Sequence, residues 1–151
     1  MVINLISYVP AATSHNNIKV ISPISNYDLQ LWFETAIDTF KFDLKEFKNF
    51  FYPLIEVAGC VPFLAFYDDK PAATALVYCG KNEAGIYTMS TKENFRRNGL
   101  GSAVAQACLS LATSKGLNHA ILYASELGEH LYKQLGFATT QTLYEYSFCN
   151  N

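Results

Sequence analysis

Apolar positions along the chain switch between two spacings, and the switches mark out its elements. Leu29, Trp32, Phe33, Ala36, Ile37 and Phe40 recur at helical spacing and form one stripe. Ser25 followed by Asp28 is a capping-box pattern that predicts where this helix starts. Asp43 and Glu46 repeat the signal, and Leu44, Phe47, Phe51 and Leu54 predict a second, shorter helix. Ahead of both, the run IKVI (Ile18–Ile21) predicts a strand. From Pro62 the texture changes: apolar runs at 62–67 and 72–79, joined by Asp68, Asp69, Lys70 and Pro71, predict a hairpin. A turn at 80–83 then leads into a third strand at 84–90.

After Gly99 the helical spacing returns in Leu100, Val104, Ala107, Cys108, Leu111 and Ala112, and Lys115-Gly116 is a normal helix stop. The near-continuous apolar run at 119–124 predicts a strand buried on both faces. Residues 126–135 read as a short helix closed by Gly136, and 142–149 as a last strand. The predicted order is approximately β-α-α-β-β-β-α-β-α-β-β, a mixed α/β (α+β) single domain over 1–151. Residues 1–17 open with the apolar MVINLISYVPAA and end in a polar stretch. This segment lacks the positive region of a secretory signal and reads as a disordered or surface-lying N-terminal arm.

Composition narrows the function classes. Half of the 151 residues are hydrophobic and 15% aromatic, enough for a well-filled core. Eleven Lys and Arg against thirteen Asp and Glu give a net charge of −2, which argues against a nucleic-acid partner. No apolar run approaches the ~18 residues of a membrane helix. Cys60, Cys79, Cys108 and Cys149 stand far apart, and His15, His119 and His130 complete no zinc pattern. Reduced core thiols in a cytoplasmic protein without a metal are the expectation.

The chemistry concentrates between the third meander strand and the helix after Gly99. A helix start offers unpaired N–H groups and about half a positive charge. Glycines at 99 and 101 let an anion approach the backbone, and Arg96 and Arg97 add charge, so the turn reads as a phosphate or pyrophosphate site. A P-loop requires Gly-Lys-Ser/Thr, whereas Gly-Ser-Ala stands here. A dinucleotide fingerprint requires a third glycine, which is missing, and the first strand of a parallel βαβ unit, whereas this turn follows a predicted meander.

The run Arg96-Arg97-Asn98-Gly99-Leu100-Gly101 resembles the Arg/Gln-x-x-Gly-x-Gly/Ala signature of the GNAT acyltransferase superfamily. A second stretch, Ser125 to Phe137 with Tyr132 ahead of Gly136-Phe137, resembles the family's C-terminal motif in the same order. The resemblance implies a GNAT fold: a central, mostly antiparallel sheet of six to seven strands with about four helices, splayed between the fourth and fifth strands. It also implies acetyl-CoA, or another acyl-CoA, as co-substrate.

Carried over by position, the resemblance puts the backbone of Met89, Ser90 and Thr91 against the pantetheine arm, with the Met89 N–H as oxyanion donor. Arg96, Arg97, Asn98, Gly99, Leu100, Gly101 and Ser102 would hold the pyrophosphate. Ser125 stands where the family often has an Asn that bonds the cofactor arm, and Gly128 would give the cofactor room. Tyr132 is the catalytic candidate, because a phenol of pKa ~10 stays protonated at neutral pH and can donate to a departing thiolate.

The general base is not legible. Glu83, Glu93, Glu34 and Asp38 are all open to that role, and His130 faces away from Tyr132 on a helix. Trp32, Phe33, Phe40, Tyr52 and Tyr87 are candidates for a partly aromatic acceptor pocket. The resulting expectation is an N-acetyltransferase that uses direct attack by a primary amine of a small molecule or peptide, with a homodimer open through Tyr144, Tyr146 and Phe148. The competing expectation is a catalytically silent acyl-CoA-binding sensor or partner subunit.

Overall fold

The computed structural model describes residues 1–10, 16–41 and 43–144. In chain order these form β1 (Val2–Asn4), β2 (Ile18–Ile21), α1 (Asn26–Phe40), α2 (Leu44–Ile55), β3 (Cys60–Tyr67), β4 (Lys70–Cys79), β5 (Glu83–Thr91), α3 (Leu100–Ser114), β6 (His119–Leu122) and α4 (Glu126–Gln134). The six strands make one sheet in the order β1-β6-β5-β4-β3-β2. Every neighbouring pair is antiparallel except β5 and β6. The mixed, mostly antiparallel architecture with four helices is the one expected.

Strand alternation sends adjacent residues to opposite faces, so each face carries its own core. Val77, Ile86 and Ala75 pack beneath α3, with Val104, Cys108 and Leu109. Leu64 and Leu76 pack beneath α1 and α2, with Trp32, Phe33, Ala36 and Phe47. The middle of the α1 stripe read from the sequence, Trp32, Phe33 and Ala36, is therefore buried, while Phe40 at its end is exposed.

Three expectations need correction. The first concerns residues 1–17, read as a surface arm. Val2–Asn4 instead pairs antiparallel with β6, and Met1, Ile3 and Leu5 are buried. Their spacing of two is a strand pattern whose apolar face covers the end of the core under α3. Ile3→Ala is expected to cost about 2–4 kcal/mol of stability by urea unfolding, where a surface arm would show less than about 0.5.

The second correction concerns β6. It ends at Leu122 and alternates, with His119 and Ile121 exposed and Ala120 and Leu122 buried. Helices α1 and α2 sit over β3, β4 and β5, which leaves one face of β6 uncovered. The third concerns the last strand, predicted over 142–149. Residues 142–144 carry no strand, Tyr144 is exposed, and Ala138 makes only an isolated bridge to Val2. Residues 145–149, with Tyr146, Phe148 and Cys149, lie outside the described residues.

Two irregularities open the sheet. Strands β5 and β6 pair from Glu83 with His119 as far as Ile86 with Leu122, and β5 then runs on alone to Thr91 on that side. These are the fourth and fifth strands of the predicted order, where the splay is expected, and the N-terminal strand that precedes them moves each number up by one. Between Ser90 opposite Thr74 and Tyr87 opposite Leu76, β5 carries one extra residue. This bulge puts Thr88 at φ 47, a conformation that a β-branched side chain rarely adopts. The Thr74 hydroxyl donates to the Thr88 carbonyl at 3.1 Å and lies 2.7 Å from the Ser90 hydroxyl, and these contacts fix the bulge.

Candidate functional site

The chain leaves β5 through a short 3-10 turn (Glu93–Phe95) and enters α3 at the glycine turn. Gly99 is the N-cap of α3 with φ 83, a left-handed conformation suited to glycine. Arg97 stands at φ 65. The other helix starts are closed by side chains: Ser25 caps α1, Asp43 caps α2 and Ser125 caps α4. Helix α3 has no side-chain cap, so its first N–H groups remain available. Arg96, Arg97 and Asn98 are exposed around this opening.

These residues divide the work. Arg96 donates from Nε to the Thr91 carbonyl at 3.4 Å, which leaves the terminal guanidine nitrogens facing outward from the turn as donors. Asn98 folds back, and its Nδ2 donates to the carbonyls of Phe95 at 3.2 Å and Arg96 at 3.3 Å, so it holds the turn together. Leu100 is buried and offers only backbone. The Ser102 hydroxyl accepts from Gln106 Nε2 at 3.1 Å.

Gly101 is the point where three elements meet. A Cβ there would lie 3.0 Å from Leu131 Cδ2 of α4 and 3.9 Å from Thr91 Oγ1 of β5. Close packing therefore asks for glycine as much as an anion does. Gly128 was expected to make room for a cofactor; a Cβ there would lie 3.0 Å from Tyr132 Cε2, so the room serves the tyrosine ring itself. Ser125 accepts the Gly128 N–H at 3.3 Å, and its hydroxyl proton is what remains to donate elsewhere.

Tyr132 is buried and meets Phe137 edge-on, with centroids 5.8 Å apart. Burial, with a smaller contribution from Cys108, pushes its phenol up to about 12. The hydroxyl therefore keeps its proton throughout the neutral range. Met89 and Thr91 are half-buried and Ser90 is buried, all on the part of β5 that has left β6.

On the opposite face of the sheet, α2 and the strands below it enclose a cavity of about 580 Å³. Phe40, Phe47, Phe50, Phe51, Leu54, Tyr78 and Tyr87 form most of its wall, and Thr88, the chain neighbour of Met89, also lines it. Of the five aromatics proposed from sequence, Phe40 and Tyr87 line it. Trp32 and Phe33 are fully buried in the core, and Tyr52 stacks on Phe33 with centroids 6.2 Å apart. The sequence reading missed Phe50, Phe51, Phe47 and Leu54 as wall residues. Aromatics at 47, 50, 51 and 52 span more of α2 than one core-facing stripe covers, and that excess was the available signal.

None of the carboxylates considered as a base lines the cavity. Glu83, Glu93 and Glu34 are exposed, and Asp38 pairs with Lys92 at 3.8 Å, a surface contact worth at most about 1 kcal/mol. His130 is exposed. Among the described residues no group of three or more His, Cys, Asp or Glu could hold a metal, and no helix is long and apolar enough to cross a membrane.

The model of the acetyltransferase (GNAT) family matches residues 25–137, from the start of α1 to the end of the Tyr132 motif. The chain belongs to the GNAT acetyltransferase family. Solved structures share the GNAT fold. A protein from Pyrococcus horikoshii superposes with a TM-score of 0.73 at 24% identity over 87% of this chain. This chain spans 47% of that longer protein. The glucosamine-6-phosphate N-acetyltransferase of Arabidopsis thaliana superposes at 0.68 with 19% identity, over 87% of this chain and 99% of its own. A Clostridium acetobutylicum protein solved with acetyl-CoA superposes at 0.67 with 20% identity, over 86% of this chain and 96% of its own. No curated protein is significantly similar in sequence.

Proposed function

We propose that this chain moves an acetyl group from acetyl-CoA to a primary amine of a small molecule or peptide by direct attack. The observation that carries the reading is the uncapped, glycine-started α3 set beside the point where β5 leaves β6. An acyl-CoA carries a pyrophosphate and an extended arm, and these two features fit them in turn. Acetyl-CoA supplies the acetyl group as a thioester.

The chain's own residues then have distinct tasks. The N–H groups at the start of α3, with Arg96 and Arg97, hold the pyrophosphate by charge-assisted hydrogen bonds. The open backbone of Met89, Ser90 and Thr91 aligns the arm, and the Met89 N–H is the candidate oxyanion donor. Ser125 offers its remaining proton to the arm. Tyr132 donates to the sulfur as the carbon–sulfur bond breaks. The Clostridium acetobutylicum neighbour, solved with acetyl-CoA, supports the donor, and the Arabidopsis thaliana enzyme named for glucosamine 6-phosphate supports a small-molecule acceptor.

Release of free thiol from acetyl-CoA in the presence of an amine panel tests the reading. Tight acetyl-CoA binding without release above the buffer rate across the panel would favour the silent sensor, a reading that the absence of a carboxylate from the cavity wall keeps specific.

Gly101→Val separates binding from folding. Leu131 Cδ2 is the end of a flexible side chain and can yield, so the fold should survive with a change of about 1 kcal/mol. The added branches crowd the anion approach, and acetyl-CoA affinity is expected to fall by about tenfold or more by calorimetry. Undiminished affinity would move the pyrophosphate away from this turn.

A further inference from the structure

The cavity under α2 carries information about the acceptor, on the basis of the transferase reading above. Among the described residues its wall is aromatic and aliphatic, with no charged side chain, and its volume of about 580 Å³ lies within the range of small-molecule sites. Thr88 is one of its lining residues, next to Met89 in sequence, and is doubly unusual. It holds φ 47 despite its branched side chain, and its hydroxyl is buried with no hydrogen-bond partner among the described residues. Strain and an unmet hydroxyl at one residue are both costs that persist where a site uses them.

We propose that the acceptor is a primary amine borne on an aromatic skeleton, bound in its neutral form, with the buried Thr88 hydroxyl turning about its Cα–Cβ bond to become its polar contact. An ammonium entering this wall would shed its hydration and find no carboxylate, which is unfavourable by several kcal/mol. The free amine meets no such penalty, and rings in contact with Phe50, Phe51 and Tyr87 gain from burial and edge-to-face packing. Neutral binding also accounts for a site without a legible base. The nitrogen lone pair forms the C–N bond while the C–S bond breaks, the bonding pair leaves on sulfur, and one nitrogen proton ends on that sulfur. Amine and thioester become amide and thiol with nothing left over. A polycation such as a polyamine or an aminoglycoside would bring several ammonium groups to a wall that solvates none.

The test is thiol release from acetyl-CoA with 2-phenylethylamine, benzylamine, spermidine and glucosamine 6-phosphate. The two aromatic amines are expected to exceed the polar ones in kcat/KM by about 10²-fold. Their kcat/KM should rise with pH to a plateau set by each amine's own pKa, so the limbs of two amines of different pKa are displaced from each other. Thr88→Val, which keeps the branched shape, should lower kcat/KM for 2-phenylethylamine about tenfold and leave acetyl-CoA affinity unchanged. Phe50→Ala, at a position exposed on one side, should raise KM for the aromatic amines with little effect on folding.

Release with spermidine or glucosamine 6-phosphate in preference to the aromatic amines would overturn the substrate class and leave the transferase reading standing. Limbs at one common pH would place a protein base at the site and overturn neutral binding. A preference for long-chain acyl-CoA over acetyl-CoA, lost in Phe50→Ala, would assign the cavity to the donor chain and overturn the proposal. Bound acetyl-CoA with no release for any amine would overturn the transferase reading and, with it, this one.

Discussion

Tyr132→Phe is expected to lower turnover by about 10²-fold or more while acetyl-CoA affinity stays nearly unchanged. The substitution removes one oxygen and keeps the ring that packs edge-on against Phe137, so the fold has little reason to respond. What is lost is the proton offered to the departing sulfur. The sign of the pH dependence follows from the raised phenol, at about 12 against an ordinary value of 10.0. A raised pKa keeps the protonated form present to higher pH, so this group produces no alkaline loss of turnover below about pH 10. Any fall belonging to Tyr132 lies above that, and the Phe variant should lack it. A folded Phe variant with full turnover would reduce Tyr132 to a core ring.

Trp32→Ala is expected to produce the largest loss of stability, about 4 kcal/mol, measured by urea unfolding. Trp32 is fully buried, and its ring lies within 6.3 Å, centroid to centroid, of Phe33, Phe47 and Phe51. Its indole Nε1 donates to the Ala75 carbonyl at 3.0 Å, and truncation leaves that carbonyl without its partner as well as opening a cavity. With total stabilities of about 5–15 kcal/mol, one such change can unfold much of the population at 37 °C. Phe50→Ala, on the cavity wall and 66% exposed, should fall within about 1 kcal/mol of the parent. The contrast measures directly which aromatics are core and which are wall.

The glycine turn before α3 was legible because its chemistry is local. Glycine at 99 with a left-handed φ, the arginines before it and the helix after it are contiguous in the chain, and a helix start needs nothing distant to hold an anion. The same local reasoning did not show that Gly128 and Gly101 also make room for Tyr132 and Leu131. A missing side chain is equally an invitation to a ligand and to a neighbouring ring, and only the position of Tyr132 or Leu131 tells which. The bulge at Thr88 left no local trace. Its φ arises from the register of β4 against β5, and register is a relation between strands far apart in the chain.

By itself the sequence determined the helical spacing of α1 to α4, the capped starts at Ser25 and Asp43, the glycine turn before α3, and thereby the family. These depend on residues within a few positions of one another, where side-chain chemistry and backbone propensity act directly. The tertiary structure alone decided that Met1 to Leu5 close the sheet beside β6, and that Trp32 is core while Phe50 is wall. It also decided that, among the described residues, the wall of the cavity under α2 carries no charged side chain. An apolar stripe states that a face will be buried, but what buries it, and whether a gap remains, depends on elements brought together from across the chain.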